Sequence, residues 1–206
     1  MLASPRLARA TLAGLAIAAA GIALADPAEP PAPARRFSSD SPHVLERRAE
    51  PSGRRTLEVV SQTLSFAGLK PSMNGPVAPH PGLALLASDA PELLWVTGIR
   101  LESVQSDADA PASPEFFSHA NIELEPLTRS VPPAIEWPLF TLVPGRQEAR
   151  LPEGFGLPVL SSRRLDLTTM ALNLNVADRP LRVRFKTRIE FVRDADLTAP
   201  LVPLAR

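Results

Sequence analysis

Residues 181–193 read Leu181, Arg182, Val183, Arg184, Phe185, Lys186, Thr187, Arg188, Ile189, Glu190, Phe191, Val192, Arg193, with apolar and charged side chains in near-strict alternation. A strand turns successive side chains to opposite faces. Leu181, Val183, Phe185, Ile189 and Phe191 therefore share one side, and Arg182, Arg184, Lys186, Arg188 and Glu190 the other. One dry and one wet face predict a strand of an antiparallel sheet packed on a core. The expected fold is all-β, with this segment central or nearly so.

Just upstream, residues 165–175 (L-D-L-T-T-M-A-L-N-L-N) alternate again, and Asp178, Arg179 and Pro180 supply a turn, so a long hairpin over 165–193 is expected. Leu165 and Leu167 are in odd phase whereas Met170, Leu172 and Leu174 are in even phase, which predicts a bulge at Thr168 and Thr169. Residues 93–104 (L-L-W-V-T-G-I-R-L-E-S-V) form a further strand, with Trp95, Ile99 and Leu101 on one face. Gly98 inside it points to a bulge or a close backbone approach. Residues 56–66 and 115–125 also read as strands, 157–160 as a short one, and 137–151 as a hairpin about Pro144 and Gly145. Residues 67–82, broken by Gly68, Pro71, Asn74, Gly75, Pro76, Pro79 and Pro81, are expected to be loop, and 83–87 fit a short strand or a helical turn. With about eight strands and no strong helix, the architecture is a single antiparallel β-sandwich, jelly-roll-like. Trp95 and Trp137 are read as core.

The chain starts with Arg6 and Arg9 ahead of an uncharged apolar run that ends in Ala23, Leu24 and Ala25. This is the pattern of a cleaved secretory signal over residues 1–25, and it is short of the roughly 20 apolar residues that span a bilayer. Residues 26–55 begin proline-rich and are expected to be an extended, disordered leader, with at most two helical turns over 43–48 between Pro42 and Pro51. The sandwich is assigned to 56–197 and a draped tail to 198–206. Removing Arg6 and Arg9 from 22 basic residues leaves 20 against 22 acidic ones, a nearly neutral chain that does not favour nucleic acid or an anionic membrane as partner. Cysteine is absent, which excludes thiolate metal sites, a cysteine nucleophile and a lipoprotein anchor. The expected location is the periplasm or the exterior, without membrane insertion once the signal is removed.

No catalytic constellation is complete, and no G-x-S-x-G elbow is present, which leans against an enzyme. His119, beside Phe116 and Phe117, is the candidate metal ligand, and Met73 and Met170 are soft donors for copper. Against this, the chain holds only His43, His80 and His119, and a metal site needs about three protein ligands. Ser118 next to His119 suggests a dyad that alternation would split, and Asp107 and Asp109 lack the companions of a calcium loop. Arg182, Arg184, Lys186 and Arg188 form a candidate face for an envelope protein partner, or else an ion-paired ladder with acids on neighbouring strands.

The blocks L-L-W-V-T-G-I-R-L-E-S-V, E-F-F-S-H-A-N-I-E-L-E, L-F-T-L-V-P-G-R-Q-E-A-R-L-P-E-G-F-G-L-P-V and L-T-T-M-A-L-N-L-N resemble the first half of exported bacterial proteins of the copper type II, ascorbate-dependent monooxygenase-like class. That class has two tandem sandwiches of the peptidylglycine α-hydroxylating monooxygenase-like fold, with a histidine cluster in each. The resemblance implies a single-sandwich relative with His119 as a copper ligand, although no His-x-His pair occurs here. The residue pattern itself calls for no cofactor. The expected function is a non-catalytic binding or structural module of the cell envelope, with a copper-binding protein as the alternative.

Overall fold

The computed structural model describes residues 41–66, 75–106, 110–125, 138–173 and 181–204. The signal segment, the start of the leader, Met73, Asp107, Asp109 and Trp137 lie outside the described residues. In chain order the strands are β1 (His43–Ala49), β2 (Arg54–Val60), β3 (Leu64–Phe66), β4 (Val77–Leu83), β5 (Leu93–Gln105) and β6 (Phe117–Leu124). They continue with β7 (Phe140–Leu142), β8 (Glu148–Arg150), β9 (Phe155–Leu160), β10 (Leu165–Ala171), β11 (Leu181–Arg193) and β12 (Val202–Pro203). No α-helix is found among the described residues.

The larger sheet runs β1-β2-β11-β5-β9-β12, with β3 also pairing β11 and β8 also pairing β5. The smaller runs β4-β10-β6-β7. All pairings are antiparallel except β12 on β9. The fold is an all-β sandwich, and the alternating strand β11 lies between β2 and β5 as its sequence requires. Val183, Phe185, Ile189 and Phe191 enter the core from the larger sheet and meet Phe117, Ile122, Leu165 and Leu167 from the smaller. Phe117 and Phe185 touch edge-on across the layers, with centroids 5.7 Å apart.

Several local expectations are corrected. Residues 43–48 are not a helical turn but strand β1, paired antiparallel to β2 through the turn at Glu50 and Gly53. A register shift between Val44 and Glu46 interrupts the alternation that would have announced it. The strand expected over 56–66 is broken at 61–63 into β2 and β3. Part of the expected loop 67–82 is β4, an edge strand, where Pro79 and Pro81 are tolerated because one side of the backbone needs no ladder partner. Leu83 ends that strand.

The two predicted hairpins fail for one reason: the chain changes sheet at each turn. β7 pairs β6 in the smaller sheet while β8 pairs β5 in the larger, and Val143 and Arg146 form an isolated bridge between them. Likewise β10 belongs to the smaller sheet and β11 to the larger. The predicted bulge at Thr168 and Thr169 is absent: Leu165, Leu167, Thr169 and Ala171 are buried in one phase. Thr169 enters the core because its hydroxyl donates to Ala78 O, leaving Met170 on the outer side. The expected break in β5 is present, with a register shift where Gly98 and Val96 oppose Glu190 and Phe191. It reverses the facing of residues below it, so Leu94 and Val96 join the core and Trp95 does not. Trp95 is buried on the outside instead, its Nε1 donating to Asp194 Oδ1 at 2.8 Å. The tail is likewise partly in the sheet, through β12.

Candidate functional site

Three places on the sandwich stand out, and two of them collect side chains singled out by sequence. The first is the outer face of the larger sheet, where β11 presents its charged row. Arg188 lies directly opposite Glu58 on β2 and Arg100 on β5. Two guanidiniums side by side repel, so each turns to a carboxylate. Arg188 Nε and Nη2 donate to Glu58 Oε2 at 3.2 and 2.9 Å, while Arg100 Nη2 lies 3.0 Å from Glu102 Oε1. The hydrogen bond to Glu58 raises the Arg188 pKa further above its ordinary value. Lys186 Nζ is 3.8 Å from Glu102. Arg150 on β8 reaches across Gly98 to Glu190 at 3.2 Å, and a Cβ at Gly98 would stand 3.3 Å from Ala149 O and 3.7 Å from Glu190 Oε2. The face is thus a ladder of compensating charges, each exposed pair worth about 1 kcal/mol or less.

Arg184 departs from its row. It is 0 % exposed although it points outward from the sheet. Pairing of β11 with β2 ends at Lys186 and pairing with β3 begins at Val183, so residues 61–63 form an irregular link opposite Arg184 and Phe185, with Ser61 N donating to Phe185 O. Arg184 Nε donates to Ser61 O at 2.8 Å and Nη2 to Ser41 O at 3.2 Å. Arg182, by contrast, is exposed. The four candidate interface residues therefore divide into one exposed cation, two with carboxylates beside them and one buried support.

The second place is the outer face of the smaller sheet, where His119 on β6 pairs directly with Met170 on β10. A register shift makes Ser118 the extra residue of β6, and its Oγ lies 3.3 Å from His119 Nδ1. The alternation argument against contact between these neighbours fails at this bulge. The three histidines do not converge. His80, on β4, pairs with Leu167 of β10, while His43 starts β1 with its Nδ1 2.9 Å from Ser41 O. Among the described residues no three His, Cys, Asp or Glu side chains gather as a metal site. His119 and Met170 offer two donors, so the residues present do not fit a three-ligand catalytic copper centre.

The third place was not legible beforehand. On the β1 side the sandwich is closed: Arg47 Nη1 donates to Leu85 O at 2.8 Å and Gln62 Nε2 to Val77 O at 3.3 Å. Burial, with Arg164 nearby, lowers the Arg47 pKa. Burial also lowers that of His80, with His43 adding to the effect. On the opposite side, where β7 and β8 diverge into different sheets, a groove of about 560 Å³ opens. Pro138, Leu139, Phe140, Ala149, Leu151, Leu157 and Leu204 line it, with Arg146, Glu148 and Arg150 at its rim. Among the described residues β7 pairs only with β6, and β8 only with β5. The sequence carried one sign of it, two short strand-like runs flanking Pro144 and Gly145, which reads equally as a hairpin.

These features define a two-sheet β-sandwich with an apolar mouth along one side. No protein-family model and no curated protein matches the chain. No helix among the described residues is long and apolar enough to cross a membrane.

Proposed function

We propose that this protein is an exported β-sandwich that works as a binding or structural module of the cell envelope and has no catalysis of its own. The observation that supports it is the asymmetry of the sandwich: sealed at β1 and β4, open and apolar between β7 and β8. A groove with apolar walls and a charged rim is the form of a recognition site. The test is photo-crosslinking in the native compartment from a reactive residue placed at Leu139 or Arg146, with Arg182 as the comparison position. A discrete crosslinked partner at the groove positions is expected. Crosslinks confined to Arg182 would move the interface to the basic face, and none at any position would reject the module reading.

A second reading, a copper-binding protein akin to the monooxygenase-like class, is favoured by the pairing of Met170 with His119. A thioether beside an imidazole selects copper(I) over harder cations. Purified protein is equilibrated with copper(I) against a competing chelator. This reading expects retained copper in the wild type and its loss in both His119→Ala and Met170→Leu; equal retention in all three sinks it.

A further inference from the structure

We infer that the groove between β7 and β8 accepts an extended aliphatic strand from a partner, and that the chain's own tail occupies one end of that site in the partner's absence. The inference rests on the binding-module reading and names the chemistry of its ligand. After β11 the chain turns back, and β12 adds to the edge of β9 in parallel. Val202 N donates to Gly154 O at 2.8 Å and Leu204 N to Gly156 O at 3.1 Å. Leu201 lies over Gly156, where a Cβ would stand 3.2 Å from Leu201 Cδ1. Leu204 enters the groove and packs against the core from its open side.

The tail thus shows what this edge takes: an extended segment with leucines three residues apart, bound by main-chain hydrogen bonds and apolar side-chain contacts, which is the logic of strand addition. It is a light hold. β12 is two residues long, Val202 is 53 % exposed, and among the described residues the groove beyond Leu204 is open. The rim adds a direction. Arg150 is held between Glu148 and Glu190, which leaves Arg146 as the rim cation that acidic residues following the aliphatic pair would meet.

The test uses the full chain and a labelled peptide copying residues 197–204, followed by two aspartates, read by fluorescence anisotropy. Leu204→Ser removes the resident side chain, and Val202→Pro removes a main-chain donor while keeping both leucines. Each is expected to raise affinity for the probe at least tenfold over wild type. A probe with asparagine at the positions of Leu201 and Leu204 should not bind, and one ending in two lysines should bind more weakly, that order reversing in Arg146→Glu. Equal affinity in wild type and both variants, or equal binding of the asparagine probe, overturns the inference. A partner crosslinked elsewhere on the sandwich would leave the module reading standing when this result is negative.

Discussion

Replacing Arg184 by methionine keeps most of the apolar stem and removes the guanidinium from a fully buried position. Buried Ser61 O loses a charge-assisted hydrogen bond, whereas exposed Ser41 O still has His43 Nδ1 2.9 Å away. A buried polar group left without a partner costs about 1–3 kcal/mol. Part of that is returned because a desolvated cation is no longer held out of water. The net expectation is a loss of about 1–3 kcal/mol, or about 2–12 °C in Tm for a domain of this size. Arg188→Ser, two positions along the same row but exposed, should cost about 1 kcal/mol or less. Urea unfolding of both variants, fitted with a common m-value, measures the contrast. Arg184→Lys should resemble Arg184→Met, because an ammonium cannot reproduce the guanidinium's fork of donors. Arg184→Met as stable as wild type would refute the assignment of Arg184 as a support, and would mean that the hydrogen bonds between Ser61 and Phe185 hold the link over 61–63 by themselves.

Thr187 faces the core fully buried, and its hydroxyl has no hydrogen-bond partner, so Thr187→Val should stabilise by about 1 kcal/mol, read as a rise in urea midpoint. The folded pKa of His80 lies below the ordinary histidine value of about 6.5, so the unfolded chain binds the extra proton first. Stability from this group is unaffected above that pH. It falls as pH drops through it, and the loss is complete below the folded value. His80→Leu should therefore flatten the decline between neutral and mildly acidic pH, and an unchanged pH profile would count against burial as the cause. Gly156→Ala drives a methyl to 3.0 Å from the Trp95 ring, and should cost about 1–3 kcal/mol. Faster hydrogen exchange at Val202 and Leu204 should accompany it.

Strands that alternate over most of their length and have a neighbour on each side were readable as strands from residues alone, as β11, β5 and β6 show, though the shift in β5 turned Trp95 away from the core face assigned to it. Their pattern is set by burial of one face, which overrides local detail. The misread segments are those where another constraint acts. In β1 a register shift hides the alternation, and in β4 edge position tolerates prolines that elsewhere mean loop. In β10 a threonine satisfied by Ala78 O enters the core and imitates a phase change. Which sheet a strand joins after a turn is decided by packing across the whole domain, so neither hairpin reading had a local correction available. The same choice creates the groove, which is why no motif announced it. Arg184 was read as one cation of a row because burial on an outward face depends on a remote segment, around Ser41 and Ser61, folding over it.

The break in β5 that turns Trp95 away from the core gives the molecule an optical reporter. Its indole donates a hydrogen bond to Asp194, and its ring flanks Gly156, the glycine over which Leu201 lies. The chain has two tryptophans, so a Trp137→Phe background leaves Trp95 as the sole indole emitter. Its emission would then follow departure of the tail in real time, without a label, while the interior aromatic pair of Phe117 and Phe185 stays silent.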